Sequence, residues 1–255
     1  MFAAARIDKI KRLLMDNNKI EVTTLVKVLN VSEATVRRDL EKLEQDGFLI
    51  RIHGGAILQK QEEVAEPIEI PKKREKDSIA KIAARLVENG DVLFIGEGTT
   101  CFQFALELKP KKNLTIVSTN VSIATSLAAC PNIKLILTGG NILYEEGNIA
   151  LGGEFTNKFL SNIGVDKVFI SVSGLDKNAG LYTSSTDAAD VMKYARKMSS
   201  EMILLCDYSK FGRRSLVKVG TFEMIDKVVT NENIDDEYKQ LFDKMNIPLY
   251  TSYNL

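Results

Sequence analysis

The chain has 255 residues, 45% of them hydrophobic and 27% charged, with 34 basic residues against 34 acidic ones. That length accommodates two domains of ordinary globular composition, and the balanced charge excludes a molecule that holds nucleic acid through a field spread over its whole surface. No apolar run approaches the roughly 20 residues of a membrane span and the N-terminus lacks an apolar signal core, so a cytoplasmic protein with no membrane partner is expected.

From Arg6 onward, Ile7, Ile10, Leu13 and Leu14 predict a first helix, Val22 a short strand, and Leu25, Val26 and Leu29 a second helix. Asn30-Val31 reads as a tight turn. Ser32 is an N-cap whose hydroxyl can accept from the orphan N–H groups of the next turn, and Val36, Leu40 and Leu43 follow at helical spacing as core positions. Glu33, Thr35, Arg37 and Arg38 are thereby turned to other faces near the helix start, where a recognition helix meets base edges. Gly47 stops this helix. Phe48, Ile50 and Ile52 alternate with Leu49, Arg51 and His53 before Gly54-Gly55, a period of two that suits the hairpin of a winged helix-turn-helix, with Arg51 and His53 reaching phosphate. An arginine pair on one helix is more often a solvated face, but three short helices followed by a hairpin form a supersecondary pattern. The first sixty residues hold 11 Lys/Arg against 8 Asp/Glu, a difference of +3. So small an excess predicts binding that relies on a dimer or tetramer.

The segments Val31-Ser32, Thr35 to Leu40, Leu43, Gly47 and Arg51 to Ala56 resemble the N-terminal domain of DeoR-family bacterial transcriptional regulators. The resemblance implies a double-stranded DNA operator as partner, met by Ser32, Thr35, Arg37 and Arg38 on the helix and by Arg51 and His53 on the wing. Asp39 is expected to hold an arginine in place, because a carboxylate beside phosphates is repelled unless it is paired. The winged helix-turn-helix is assigned to residues 1–57.

Residues 58–74 are polar, contain two prolines and lack sustained periodicity, which reads as a linker. Residues 75–255 form the second domain. Ile79, Ile82, Ala83 and Leu86 make a helical stripe ending at Asn89-Gly90. Short apolar runs follow at Val92 to Ile95, Leu114 to Val117, Ile133 to Leu137, Val168 to Ile170, Ile203 to Leu205 and Lys227 to Val229, most of them separated by helix-length segments. Such alternation predicts a parallel α/β sheet, whose ligands bind outside the carboxyl ends of the strands.

The residues after the runs carry the chemistry. Gly96-Glu97-Gly98-Thr99-Thr100 leads into a helix from about Cys101 to Leu108, an arrangement that brings free N–H groups and two hydroxyls to an anion. It is neither a P-loop nor a GxGxxG turn, and alone it equally suits a plain capped turn. Thr119-Asn120, Thr138-Gly139-Gly140 and Asp207 to Gly212 follow later strands, with Lys210 the best cationic candidate for a phosphate. Thr183 or Asp187, beside a helix starting near Thr186, is a candidate for the rim.

This half resembles the DeoR-type sensor domain, which is similar in fold to ribose-5-phosphate isomerase and glucosamine-6-phosphate deaminase and whose members typically bind phosphorylated sugars. The resemblance implies an effector site formed by Glu97, Gly98, Thr99, Thr100, Thr119, Asn120, Gly139, Gly140, Thr183, Asp207 and Lys210. One departure stands out: the family commonly has Asp-Ser before Gly-Thr-Thr, where this chain has Gly96-Glu97. The whole is expected to be an α/β protein, a small winged helix-turn-helix domain plus a larger Rossmann-like sensor domain.

The expected function is that of a transcriptional regulator, a repressor whose operator affinity is controlled by a phosphorylated sugar or related metabolite. The rival is a sugar-phosphate isomerase or deaminase fused to a DNA-binding domain. His53, the only histidine in the chain, lies in the wing, which removes a histidine-assisted ring opening and leaves Glu97 with Lys210 as an acid/base pair for that rival. An RNA-binding module is weaker still, because no aromatic platform accompanies the reader. Cys101, Cys130 and Cys206 are odd in number and widely spaced, so reduced thiols are expected, with no catalytic residue, metal or cofactor.

Overall fold

The structure is a computed structural model that describes residues 3–58, 70–145 and 148–251. The chain divides into two compact units, residues 1–67 and 68–255. Most of the linker expected over 58–74 falls on residues 59–69, outside the described residues.

The first unit contains α1 (Ala3–Asn17), β1 (Lys19–Glu21), α2 (Val22–Leu29), α3 (Glu33–Gln45), β2 (Leu49–Ile52) and β3 (Gly55–Leu58). Its strands form an antiparallel sheet in the order β1-β3-β2. Ile10, Leu14, Leu25, Leu29, Val36, Leu40, Leu43 and Leu49 make one buried cluster, so each helix contributes the stripe its periodicity predicts. The Ser32 hydroxyl accepts from the Thr35 N–H at 3.3 Å and starts α3. Phe48 N donates to Leu43 O at 2.9 Å and Gly47 N to Glu44 O at 3.0 Å, a Schellman end that requires the positive φ of 70° at Gly47.

Two expectations are corrected in this unit. Val22 opens α2 rather than forming a strand, and the strand is Lys19–Glu21 with Ile20 buried. The wing departs from the alternation at its start, where Leu49 enters the core and Ile50 is exposed, while Arg51 and His53 are exposed and Ile52 is half-buried as expected. Leu49 is the first residue after the sharp Gly47-Phe48 turn, and that turn rather than the alternation sets which face meets α3.

The second unit adds α4 (Lys73–Arg85), β4 (Val92–Ile95), α5 (Thr99–Glu107), β5 (Leu114–Ser118), α6 (Val121–Leu127), β6 (Ile133–Leu137), β7 (Asn141–Glu145), β8 (Asn148–Gly152), α7 (Glu154–Leu160), β9 (Lys167–Ile170), β10 (Gly174–Asp176), β11 (Gly180–Thr183), α8 (Thr186–Lys197), β12 (Glu201–Leu205), β13 (Val217–Gly220), β14 (Lys227–Val229), α9 (Asp236–Lys244) and β15 (Leu249–Tyr250). Seven strands form a parallel sheet in the order β15-β14-β12-β9-β4-β5-β6. Both faces are covered. Phe94, Val168, Ile170, Met202 and Leu204 enter one buried cluster, while Leu93, Ile95, Phe169, Ile203 and Leu205 enter the other. Alternate residues of each strand therefore meet different apolar layers, which is why these strands read as continuous apolar runs. Phe104 of α5 packs on Phe169 with ring centroids 4.3 Å apart and holds that helix against the sheet.

The order of strands matters more than their number. From β4 the chain builds outward to β5 and β6, then returns to place β9, β12, β14 and β15 on the other side. The switch point thus lies between β4 and β9, the place where an open α/β sheet leaves a crevice. The β7–β8 hairpin and the β10-β11-β13 sheet are additions that the strand-like runs did not announce. Among the described residues no helix is long and apolar enough to cross a membrane.

Candidate functional site

Two surfaces carry the chemistry, one on each unit. On the first unit, the Arg6 guanidinium of α1 grips the Asp39 carboxylate of α3 with two hydrogen bonds, 2.5 and 3.1 Å long. This ion pair is largely buried and takes Asp39 off the exposed face of α3. Arg37 donates twice to Glu33 Oε1, at 2.9 and 2.6 Å, one helical turn back. Arg38 is exposed and forms no ion pair with a described residue. Arg51 Nε donates to Glu44 Oε2 at 2.7 Å, and the Arg51 backbone N–H donates to Glu44 Oε1 at 3.0 Å, joining the wing to α3. These bonds, the backbone one foremost, hold the Glu44 carboxyl below the usual range. A shallow cleft between helix and wing is lined by Arg37, Glu44, Arg51, His53 and Gly54. The hairpin turns tightly there: Gly54 has a positive φ of 79°, and a Cβ on Gly55 would collide with the Ile20 carbonyl of β1.

On the second unit a cleft of about 800 Å³ opens at the switch point. Gly98, with a positive φ of 96°, caps α5 and lets Thr99 and Thr100 face the cleft at the helix start. Lys76 rises from α4 and donates from Nζ to Thr99 Oγ1 at 2.6 Å. Burial pushes the Lys76 ammonium below its ordinary range; Asp207 opposes that shift, while Lys210 and Lys72 add to it. Lys72 donates to the Tyr208 hydroxyl at 2.8 Å, the bond that chiefly raises its own pKa. Asp207 follows β12, caps the 3₁₀ turn after it, and accepts from the N–H of Ser209 at 3.0 Å and from its hydroxyl. Cationic groups thus converge on free helix-start N–H groups, an arrangement suited to an anion.

Two side chains outside the cleft fix its walls. Asn231 accepts from Tyr208 N at 3.3 Å and donates to Glu75 O at 3.1 Å, tying α4 to the loop after β12. The Tyr238 hydroxyl accepts from Gly212 N at 2.9 Å and donates to Leu175 O at 3.2 Å, which pins the loop that carries Lys210 and Arg213.

Residues 6–62 match the DeoR-like helix-turn-helix domain and residues 72–232 match the DeoR C-terminal sensor domain. The chain belongs to the DeoR family. It is 32% identical over 252 residues to the HTH-type transcriptional regulator GolR of Listeria innocua, covering 98% of each chain. It is also 32% identical to the glycerol-3-phosphate regulon repressor of Escherichia coli, over 89% of this chain and 90% of that one. Among solved structures, ribose 5-phosphate isomerase A from Methanocaldococcus jannaschii aligns over 55% of this chain and 54% of its own, with 19% identity and a TM-score of 0.39. Membership makes this protein a DNA-binding transcriptional regulator of DeoR type.

Of the effector residues implied by the DeoR resemblance, Glu97, Gly98, Thr99, Thr100, Thr183, Asp207 and Lys210 line the cleft. Thr119, Asn120, Gly139 and Gly140 do not. Asn120 is wholly buried and caps α6 by accepting from Ser122 N and Ile123 N, and the Thr119 carbonyl accepts from Leu151 N. The Gly139 carbonyl accepts from Thr156 Oγ1 at 2.7 Å, and a Cβ on Gly140 would strike Thr156 and Gly152. These four follow β5 and β6, on the side of β4 away from the switch point, and they serve the seating of the β7–β8 hairpin. Asp187 also lies outside the cleft lining.

Lys72, Lys76, Ser171, Ser173, Ser184, Ser185, Arg213 and Ser215 also line the cleft, outside the residues that the sequence motifs single out. Lys76 had a signal: it stands three, four and seven positions before Ile79, Ala80 and Ala83, on the inward stripe of α4. Ser171 follows the Val168 to Ile170 run directly, where the strand-end rule points.

Proposed function

We propose that this DeoR-type regulator is a repressor whose operator affinity is set by a phosphorylated sugar or related metabolite held in the cleft between β4 and β9. The observation that carries this reading is the convergence of Lys76, Lys210 and the α5 start on one crevice. The phosphate is taken by the N–H groups and hydroxyls of Gly98 to Thr100, with Lys76 and Lys210 supplying charge. Glu97 and Asp207 accept from the sugar hydroxyls. Ser32, Thr35, Arg37 and Arg38 of α3 and Arg51 and His53 of the wing meet the operator. A relative that is itself named a regulon repressor supports the sign of the regulation.

The protein works as a homo-oligomer, a dimer or tetramer, in the cytoplasm, because one reader with so small a charge excess gives little specificity and paired α3 helices would meet half-sites about one helical turn apart. It turns over no substrate. His53 belongs to the reader unit, and the cleft's carboxylates and lysines bind hydroxyls and anions without a histidine to pass protons.

Selection from a randomised duplex pool tests the reading. A repeated half-site motif should be enriched, and its affinity should change when a phosphorylated sugar is added. Absence of any enriched motif would remove the reader, and steady turnover of a sugar phosphate by the full chain would favour an enzyme instead.

A further inference from the structure

The cleft has two helix starts, not one. One is the start of the nine-residue α5, with Gly98, Thr99 and Thr100; the other is the start of the twelve-residue α8, with Thr183, Ser184 and Ser185. Each start holds a threonine whose residue is buried. Thr100 is 2% exposed and Thr183 is 1% exposed, both line the cleft, and neither hydroxyl has a hydrogen-bond partner among the described residues. Each hydroxyl keeps access to the cleft and is free to bond a group that enters it.

Charge follows the same division. Lys76 stands beside Thr99 at the α5 start, while Arg213 lies against Gly174, which pairs with Tyr182, the residue before Thr183. Arg213 forms no ion pair with a described residue. Tyr182 and Ser173 hold the α8 end in register, the Ser173 N–H donating to Tyr182 O at 3.0 Å, and Thr183 pairs with Val217 across β11 and β13. Asp187, the acidic residue in the first turn of α8, does not line the cleft and lies near Gly152 instead. Counting the lining side chains, Lys72, Lys76, Lys210 and Arg213 stand against Glu97 and Asp207, a formal balance of 4 − 2 = +2.

We propose that the effector carries an anionic group at each of its two ends, one seated at Thr100 and Lys76 and the other at Thr183 and Arg213. It is a sugar bisphosphate or a phosphorylated sugar acid, with the hydroxyls between the two charges read by Glu97 and Asp207. The proposal rests on the cleft being the effector site. A single phosphate would occupy one helix start and leave Thr183 unpartnered beside an idle guanidinium.

Calorimetric titration of the full chain with matched pairs tests it: fructose 6-phosphate against fructose 1,6-bisphosphate, and glucose 6-phosphate against 6-phosphogluconate. In at least one pair the compound with two anionic ends binds about tenfold tighter or more, the gain expected of one charge-assisted contact set. Thr183→Val and Arg213→Gln each reduce that ratio towards one, whereas Thr100→Val weakens both members of the pair. Melting curves without ligand confirm that the variants are folded. Equal affinities within both pairs, or a ratio that neither Thr183→Val nor Arg213→Gln alters, would overturn the proposal while leaving a monophosphate effector in place. Failure of all four compounds to bind would overturn the phosphorylated-effector reading and this proposal together.

Discussion

Replacing Arg38 with alanine is expected to weaken operator binding by at least on the order of tenfold per protomer engaged, since one bidentate contact to a base is worth ~1–3 kcal/mol of discrimination. The residue lies two positions after Val36, about 200° round the helix from that core position, so its side chain leaves α3 on the outward side. With no ion pair to break, its whole donor fork is available to DNA. Arg37 begins differently, with two hydrogen bonds to Glu33, and must exchange them for contacts to the operator. The loss from Arg37→Ala should therefore be smaller. An exposed pair of that kind contributes little to stability, so neither variant should unfold the protein. Fluorescence anisotropy on the selected duplex, over a series of salt concentrations, separates the two effects. An arginine that meets phosphate reduces the salt slope by about one when removed, and an arginine that reads a base relaxes sequence preference. Unchanged affinity in both variants would contradict the placing of α3 on DNA.

The second large effect is expected at Lys76. Lys76→Met keeps the length and apolar stem of the side chain and removes the ammonium that donates to Thr99. Ligand affinity should fall by on the order of a hundredfold, because a buried charge-assisted contact to an anion is lost with nothing to replace it. Operator binding without ligand should persist. Burial and the neighbouring Lys210 and Lys72 already oppose the charge on Lys76, so the ligand-free variant should melt no lower than the native chain. A bound anion relieves that same repulsion, which is a physical reason for the cleft to favour one. Lys210→Ala should weaken the response less, because Lys210 is only half-buried and shares its role with Lys76. A normal response in the Lys76 variant, or a large drop in its melting temperature, would make Lys76 a structural residue and empty the cleft of its anchor.

Much of the reader was legible because its signals are local. Ser32 caps, Gly47 reverses the chain, and Val36, Leu40 and Leu43 mark one face, all within a single helix and its ends. The tether of Asp39 to an arginine was also foreseeable, since a carboxylate amid phosphates needs a partner, but that the partner would be Arg6 of α1 depends on tertiary packing. At the start of the wing Leu49 and Ile50 are both apolar, and the turn before them rather than their alternation decides which enters the core.

In the sensor unit the runs at Val92 to Ile95 and Val168 to Ile170 were visible as strands, and Gly98 to Thr100 was visible as a glycine-led helix start. Strand order was not visible. Without it, the residues after β5 and β6 carried the same weight as those after β4, and Thr119, Asn120, Gly139 and Gly140 were grouped with a cleft they do not line. Lys76 and Arg213 were missed for a related reason. One precedes the first strand of the sheet and the other stands beyond a 3₁₀ turn, so no strand-end rule reaches them.

Control of the DNA-reading surface by a ligand in the cleft is tested most directly by a thermodynamic cycle. Operator affinity is measured with and without a saturating phosphorylated ligand found by titration, and ligand affinity with and without saturating operator. Linkage requires the two ratios to be equal, and for a repressor released by its effector both should be reductions of about 5- to 150-fold. A ligand that binds the cleft tightly yet leaves operator affinity unchanged would contradict the account.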